Sequence, residues 1–458
     1  MTKEMNSKNF YITTTLPYVN SDPHVGFAME IIRTDVIARY KKLVGYDVFF
    51  NTGTDEHGQK LFNSAKEADK DVQDYVDEYA EKFKGLKELL GISDDVHFIR
   101  TTDAHHIKSA QEFWNICKAN GYIYKKSYTT KYCVGCELEK TDSELDDEGQ
   151  CPIHPNNKIE YIDEENYFFK FSAFQKPLLE LYEKNPDFVI PDFRFHEIKT
   201  FVAGGLEDFS ISRLKSKMSW GVPVPDDEMH VMYVWFDALV NYISTLGWPE
   251  NKENFEKFWV EGTPVQYCGK DNLRQQSAMW QAMLMAANLP NSKNIIINGF
   301  LTGDGGIKMS KSIGNVVSPM DIVNEYSTEA LRIFLLKEIS NFEDSPFTIE
   351  RFKDAYNANL ANGLGNLTSR ILTLSEKYLP RPDLSIAKGE EESIPQEFFD
   401  HLEKFDIKGA CDYVWHKIGE LDKKIQITEP FKVVKVDLEK GKGLITEMVL
   451  ELYTIALM

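Results

Sequence analysis

The stretch FYITTTLPYVNSDPHVGFAMEII, residues 10–32, decides the fold. Its first part, Phe10 to Leu16, is β-branched and aromatic and predicts a buried strand. Asp22-Pro23 follows as a helix-start signal, with Asp at the cap and Pro in the first turn. Val25, Ile31, Ile32 and Leu43 then suit a helix. Val48-Phe49-Phe50 reads as the next strand, ending at Gly53-Thr54-Asp55. Strand, helix and strand in that order imply a parallel α/β sheet.

Outward from this stretch, the pattern breaks at about residue 118. A cysteine cluster, an acidic run and the aromatic residues from Tyr167 to Phe174 read as an insertion there. Alternation resumes around Met232, with Val265 to Cys268 and Ile295 to Ile297 as further strands. After about residue 320 helical spacing takes over. Leu360, Leu364, Leu367, Ile371, Leu374 and Tyr378 fall at steps of three and four and form one largely apolar helix face.

The length of 458 residues is too great for one ordinary core, and 42% hydrophobic residues suffice for several. The net charge of -20 argues against a polyanion covering the whole surface. It is unevenly spread, however. Acidic residues crowd between 137 and 165, whereas Lys423, Lys424, Lys432, Lys435, Lys440 and Lys442 recur late, so a local basic face for RNA stays open. No apolar run reaches membrane-span length, and the opening MTKEMNSKNF has no apolar core of a secretory signal. A cytoplasmic location is expected by default.

Chemistry concentrates in three places. There is no G-x-x-x-x-G-K-[ST] loop, and Gly303-Asp304-Gly305-Gly306 makes no dinucleotide fingerprint. Phosphates would be handled instead by His24-Val25-Gly26-Phe27, in the first turn of a helix, where backbone N–H groups favour anions. Lys308-Met309-Ser310-Lys311-Ser312 offers two lysines on a loop that can neutralise a departing polyphosphate. Read singly, the first could be a structural histidine and the second a solvated basic loop. The third place is C-x-x-C followed by C-P-x-H. Its residues Cys133, Cys136, Cys151 and His154 suit one tetrahedral, closed and therefore structural Zn2+.

Together the first two segments resemble the HIGH and KMSKS signatures of class I aminoacyl-tRNA synthetases, in the same order and widely separated. The resemblance extends over nearly the whole chain and singles out the methionyl-tRNA synthetase family. It is carried by Leu16-Pro17-Tyr18-Val19-Asn20, by Tyr132-Cys133-Val134-Gly135-Cys136-Glu137 and by Glu165-Asn166-Tyr167-Phe168-Phe169. It continues through Ile211-Ser212-Arg213, Trp220-Gly221-Val222-Pro223, Tyr233-Val234-Trp235-Phe236-Asp237-Ala238, Gly269-Lys270-Asp271 and Asn366-Leu367-Thr368-Ser369-Arg370.

The resemblance implies a split Rossmann-like parallel sheet with a zinc-knuckle insertion and a C-terminal α-helical bundle. It implies a catalytic first half over 1–117, a connective insertion over 118–228 and a second half with the KMSKS loop over 229–320. A connecting segment over 321–350 and an anticodon-binding domain over 351–458 would follow. His24, Lys308 and Lys311 would act in catalysis, and ATP with Mg2+ would lie against His24, Gly26, Phe27 and the loop from Lys308 to Ser312. Asp55 would bind the α-amino group of L-methionine. Leu16, Tyr18, Trp235, Ala238, Leu239, Tyr242, Asn272 and Gln276 would line its pocket. Asn366, Arg370 and Phe431 would meet the anticodon of methionine tRNA. A monomer is expected, and the insertion of about 110 residues leaves no room for a separate editing domain.

Three positions depart from the family pattern. Phe27 stands where a His is usual. Asn272 replaces an aliphatic residue, and Gln275-Gln276 replaces a Phe-His pair. The sequence ends at Ala456-Leu457-Met458, within what reads as a late helix, so a short or truncated bundle is expected. These departures keep three other readings open: a class I synthetase for another amino acid, a nucleotidyltransferase without tRNA, and a tRNA-binding paralogue without activation.

Overall fold

The N-terminal strand is β1 (Asn9–Thr13), buried from Phe10 onward, and α1 (Val25–Leu43) follows it. The computed structural model describes residues 8–136, 138–140, 144–307, 309, 316–379 and 394–458. The helix begins later than the Asp22-Pro23 signal predicts. Its N-cap is His24, whose Nδ1 accepts the Gly26 N–H at 3.1 Å. Asp22 instead pairs with Lys82 at 2.8 Å, so the imidazole fills the role of a short polar cap.

β2 (Asp47–Thr54) and β3 (His97–Arg100) extend the sheet on one side of β1. A Cβ at Gly53 would lie 1.8 Å from the Ile99 carbonyl oxygen, so only glycine fits the approach of β2 to β3. The insertion supplies β4 (Ile123–Cys133), β5 (Leu138–Lys140) and β6 (Glu160–Phe169), then β7 (Val189–Ile190) and β8 (Phe209–Ser210). Strands β5-β4-β6-β8 form an antiparallel sheet of their own. β9 (Ser212–Leu214) and β10 (His230–Met232) pair antiparallel, and β10 leads into the short helix α2 (Val234–Ala238). β11 (Thr263–Gly269) and β12 (Asn294–Asn298) return to the main sheet.

The main sheet has the order β3-β2-β1-β11-β12-β7, parallel throughout. Its edge strand β7 comes from inside the insertion. Two residues carry too little pattern to announce it. From β1 the chain proceeds outward to β2, and from β11 it proceeds outward the other way to β12. The order therefore reverses between β1 and β11, and the crevice beyond their carboxyl ends is where open α/β sheets take ligands.

The described chain divides into two compact units, one reaching Pro23 and resuming over Gly45–Asn298, the other holding His24–Val44 and Gly299–Met458. Within the second unit, Arg33 of α1 is fully buried. Its guanidinium donates to the carbonyls of Leu335, Ile339, Ser340 and Asn341 at 3.0–3.1 Å. The bundle is made of α3 (Asn366–Tyr378), α4 (Ile407–Thr428), α5 (Pro430–Val436) and α6 (Leu438–Leu457). Leu367 and Ile371 pack against Ile418, Leu421, Ile425 and Met448, each such side chain contributing about 2 kcal/mol by burial. The apolar face expected from Leu360 is broken by a π-helical stretch, Tyr356–Gly365, whose wider turn rotates Leu360 out of phase with α3. Among the described residues no helix is long and apolar enough to cross a membrane.

Candidate active site

The amino-acid-site candidates of the first unit come from four places. The loop after β1 brings Leu16 and Tyr18, and the end of β2 brings Asp55. α2 and the turn after it bring Trp235, Ala238, Leu239 and Tyr242, and the helix after β11 brings Asn272 and Gln276. Tyr18 and Asp55 form a parallel backbone bridge, with the Asp55 N–H on the Pro17 carbonyl at 3.0 Å. The rings of Tyr18 and Trp235 meet edge to face at 6.5 Å between centroids. Asp55 is 2% exposed, and its Oδ1 accepts the His57 N–H at 3.4 Å. The neighbouring carboxylate, Glu56, is held in bidentate fashion by Arg100 at 2.7 and 2.8 Å. Gln276 donates to the Tyr242 hydroxyl at 2.6 Å. Asn272 is half-buried and its amide bonds to Asp271 at 3.3 Å.

Behind this wall lies a group that the sequence reading passed over. Asp237, within α2, is fully buried and sits between two histidines. His57 Nδ1 is 2.7 Å from one oxygen and His106 Nε2 is 2.8 Å from the other. His106 Nδ1 continues to Ser244 Oγ at 2.9 Å. Burial alone would raise the Asp237 carboxyl, but His57 and His106 outweigh it and hold the group below the usual carboxylate range. The clamp joins the turn carrying Asp55 to the helix carrying Trp235 and Ala238. Asp237 lies in the quoted stretch Tyr233 to Ala238, but no local periodicity pairs it with His57, 180 positions away.

The four metal-ligand candidates converge. The sulfurs of Cys133, Cys136 and Cys151 and a ring nitrogen of His154 all lie within 4.8 Å of one another. Cys136 Sγ is 3.4 Å from Cys151 Sγ and 3.2 Å from His154 Nδ1. Tetrahedral zinc, with Zn–S near 2.3 Å and Zn–N near 2.0 Å, sets ligand atoms roughly 3.5–3.8 Å apart. The three cysteines are unpaired by disulfide, and a Cβ at Gly135 would come within 2.5 Å of the His154 ring. The knuckle therefore fits a zinc ion, and its backbone is shaped to admit the imidazole.

In the second unit, His24 is exposed at the α1 N-terminus. With Nδ1 accepting, the neutral ring carries its proton on Nε2, as a donor. Met309 is half-buried, whereas Lys308, Ser310, Lys311 and Ser312 lie outside the described residues. Asn366 is exposed on α3, and Arg370 pairs with Asp422 of α4 at 2.6 Å. Phe431, the second residue of α5, is 38% exposed.

The family described as tRNA synthetases class I (M) matches residues 10–161 and 153–372. A methionine–tRNA ligase of Thermotoga maritima is 43% identical over 435 residues, covering 92% of this chain and 68% of that protein. One from Synechocystis is 40% identical over 444 residues, covering 94% of this chain and 82% of that protein. The chain belongs to the methionyl-tRNA synthetase family. A solved methionyl-tRNA synthetase of Mycobacterium tuberculosis, in complex with methionyl-adenylate, superposes with a TM-score of 0.88 at 35% identity, over 98% of this chain and 89% of that one.

Against the methionyl-tRNA synthetase pattern, the departures have structural form. Phe27 is 8% exposed, a packed ring where the family places a polar donor. Gln276 is buried with both amide ends bonded, so the usual His is replaced by a group that does not titrate.

Proposed function

We infer that this chain activates L-methionine with Mg-ATP, giving methionyl-adenylate and pyrophosphate, and then transfers the methionyl group to the terminal adenosine of methionine tRNA. The observation that carries the reading is the linked set of Tyr18, Asp55, Trp235, Tyr242 and Gln276 at the carboxyl ends of β1, β2 and β11, in a chain of this family. In this reading the Asp55 carboxylate takes the substrate's ammonium, and its burial makes that charge pairing strong. Trp235 and Tyr18 lie against the thioether, which gains from aromatic edges. Leu16, Ala238 and Leu239 complete the apolar wall, and Asn272 stands at its border.

The methionine carboxylate oxygen then attacks the α-phosphorus, and the bond to the bridging pyrophosphate oxygen breaks. His24 Nε2–H, the N-terminal N–H groups of α1 near Gly26 and Phe27, and the lysines Lys308 and Lys311 with Met309, Ser310 and Ser312 would stabilise the negative charge on the phosphates. No covalent enzyme intermediate is needed. Cys133, Cys136, Cys151 and His154 would hold a structural zinc that fixes the knuckle. Asn366, Arg370 and Phe431 would read the anticodon. The reading carries with it a monomer acting in the cytoplasm. The test is ATP–pyrophosphate exchange against all twenty amino acids. Exchange with methionine alone is expected, and exchange driven by another amino acid, or by none, rejects the reading.

A further inference from the structure

The two histidines that flank Asp237 use their rings differently. His106 is fully buried and spends both nitrogens, Nε2 on Asp237 and Nδ1 on the Ser244 hydroxyl. His57 spends Nδ1 on the other Asp237 oxygen at 2.7 Å. Among the described residues its Nε2 has no hydrogen-bond partner, and the residue keeps 4% exposure. Asp237, held below the usual carboxylate range, is ionised and can only accept. The proton between them therefore sits on His57 Nδ1, and the neutral ring carries a lone pair on Nε2. Trp220 packs against this ring at 5.7 Å between centroids, with its own indole N–H anchored on the Glu56 carbonyl at 2.5 Å. A clamp that only joined two segments would need Nδ1 alone. An imidazole oriented by a buried carboxylate, with its far nitrogen left over, is the arrangement of a general base.

What that nitrogen would face follows from Asp55. His57 lies two residues further on, and its N–H is 3.4 Å from Asp55 Oδ1. If Asp55 takes the substrate's ammonium, the reading on which this rests, the carbonyl carbon attacked in the transfer step is two bonds from that ammonium. A cavity of about 270 Å³ adjoins the clamp, lined by Gly58 and Gln59 after His57 and by Tyr233 and Val234 before Asp237. Arg213 and Lys217 bring positive charge to its wall, which suits a phosphate-linked nucleoside. We propose that His57 is a catalytic residue of the transfer step, its Nε2 taking the proton of the terminal adenosine hydroxyl as that oxygen attacks the methionyl carbonyl carbon. The bond from that carbon to the adenylate phosphate oxygen breaks, AMP leaves with the electron pair, and the imidazolium returns its proton to water. Asp237 and His106 are positioning residues for the ring. Activation needs no such base, because the methionine carboxylate that attacks ATP is already ionised.

The experiment follows single-turnover transfer from enzyme-bound methionyl-adenylate to methionine tRNA, beside ATP–pyrophosphate exchange, on the full chain. His57→Asn keeps an amide N–H for Asp237 and removes the base. Its transfer rate at saturating tRNA should fall about 10²-fold, and its exchange rate by a much smaller factor. His57→Gly leaves a hole that an added azole can fill. Rescue of transfer should rise with the basicity of the azole, which a ring needed only for packing would not show. In the wild type, transfer should be about twofold slower in D2O, as for a proton moving in the transition state. Equal losses in both steps, wild-type transfer by folded His57→Asn, or rescue indifferent to basicity overturns the proposal. So does wild-type transfer that ignores D2O, a result that stands even where both variants fail to fold. Failure of the underlying reading looks different and takes the proposal with it: the wild type then forms no adenylate with methionine, or Asp55→Ala keeps normal methionine affinity.

Discussion

Asp55 is 2% exposed and Phe431 is 38% exposed, and in the proposed function the two stand for two ways of building a recognition surface. In the first unit, Asp55, Tyr242 and Gln276 are buried and held by the His57 N–H, Gln276 and Gln266. In the second unit, Asn366 and Phe431 are exposed, and Arg370 spends its charge on Asp422 in a pair whose side chains are both 37% exposed. A small ligand needs groups already stripped of water and fixed in place. A large RNA brings its own burial, so its contacts wait in solvent. Removing a waiting group costs nothing until the partner arrives.

The largest expected effect is in the buried region. Asp55→Ala should lose at least about 10³-fold in methionine-dependent exchange, or about 4 kcal/mol, because the ammonium is left without its counter-charge. Its melting temperature should stay close to wild type, and near-normal methionine affinity would break the comparison at its strongest point. The knuckle, with Cys133 and Cys151 buried and Cys136 and His154 half-buried, stands nearer the buried class. Elemental analysis should find one zinc per chain, lost in Cys133→Ser/Cys136→Ser, and a zinc-free native protein would remove it from that class.

Asp237→Asn sharpens the comparison from within the first unit. It leaves two histidines facing a weaker acceptor and should cost about 3 kcal/mol of stability near neutral pH. The folded carboxyl lies below its ordinary value, so its contribution is present above about pH 4 and is lost as pH falls through the depressed folded value. Denaturant melts across that range should show the wild type converging on the variant in acid. Parallel curves at all pH values would assign the clamp no charge. The smallest effects belong to the exposed region. Arg370→Ala and Phe431→Ala should each lower aminoacylation by about 1–3 kcal/mol while tRNA-free exchange stays at wild-type level. A fall in both activities would mean these residues serve the fold instead.

What could be read in the sequence follows the same division between local and distant. β1, β2, β11 and β12 are short apolar runs, and their buried faces set hydrophobic patterns that need no partner to be seen. The cysteine pairs and the two signatures are likewise local. The start of α1 escaped because an imidazole, not Asp22, caps it. β7 escaped because it is two residues long, and the drift in the Leu360 face because π turns leave no mark in composition. The Asp237 clamp and the bond from Gln276 to Tyr242 join turns and helices far apart in the chain. Glutamine and histidine at such positions look like ordinary surface residues until the fold removes water from around them.

Arg33 sets the order in which this protein can be completed during synthesis. Its helix leaves the ribosome early, yet its carbonyl acceptors at Leu335 to Asn341 lie 302 to 308 residues further on. Until those residues emerge, α1 carries a guanidinium that has nowhere buried to go, and packing it early would cost several kcal/mol. Arg33 therefore cannot reach its full set of buried partners until residue 341 has been made.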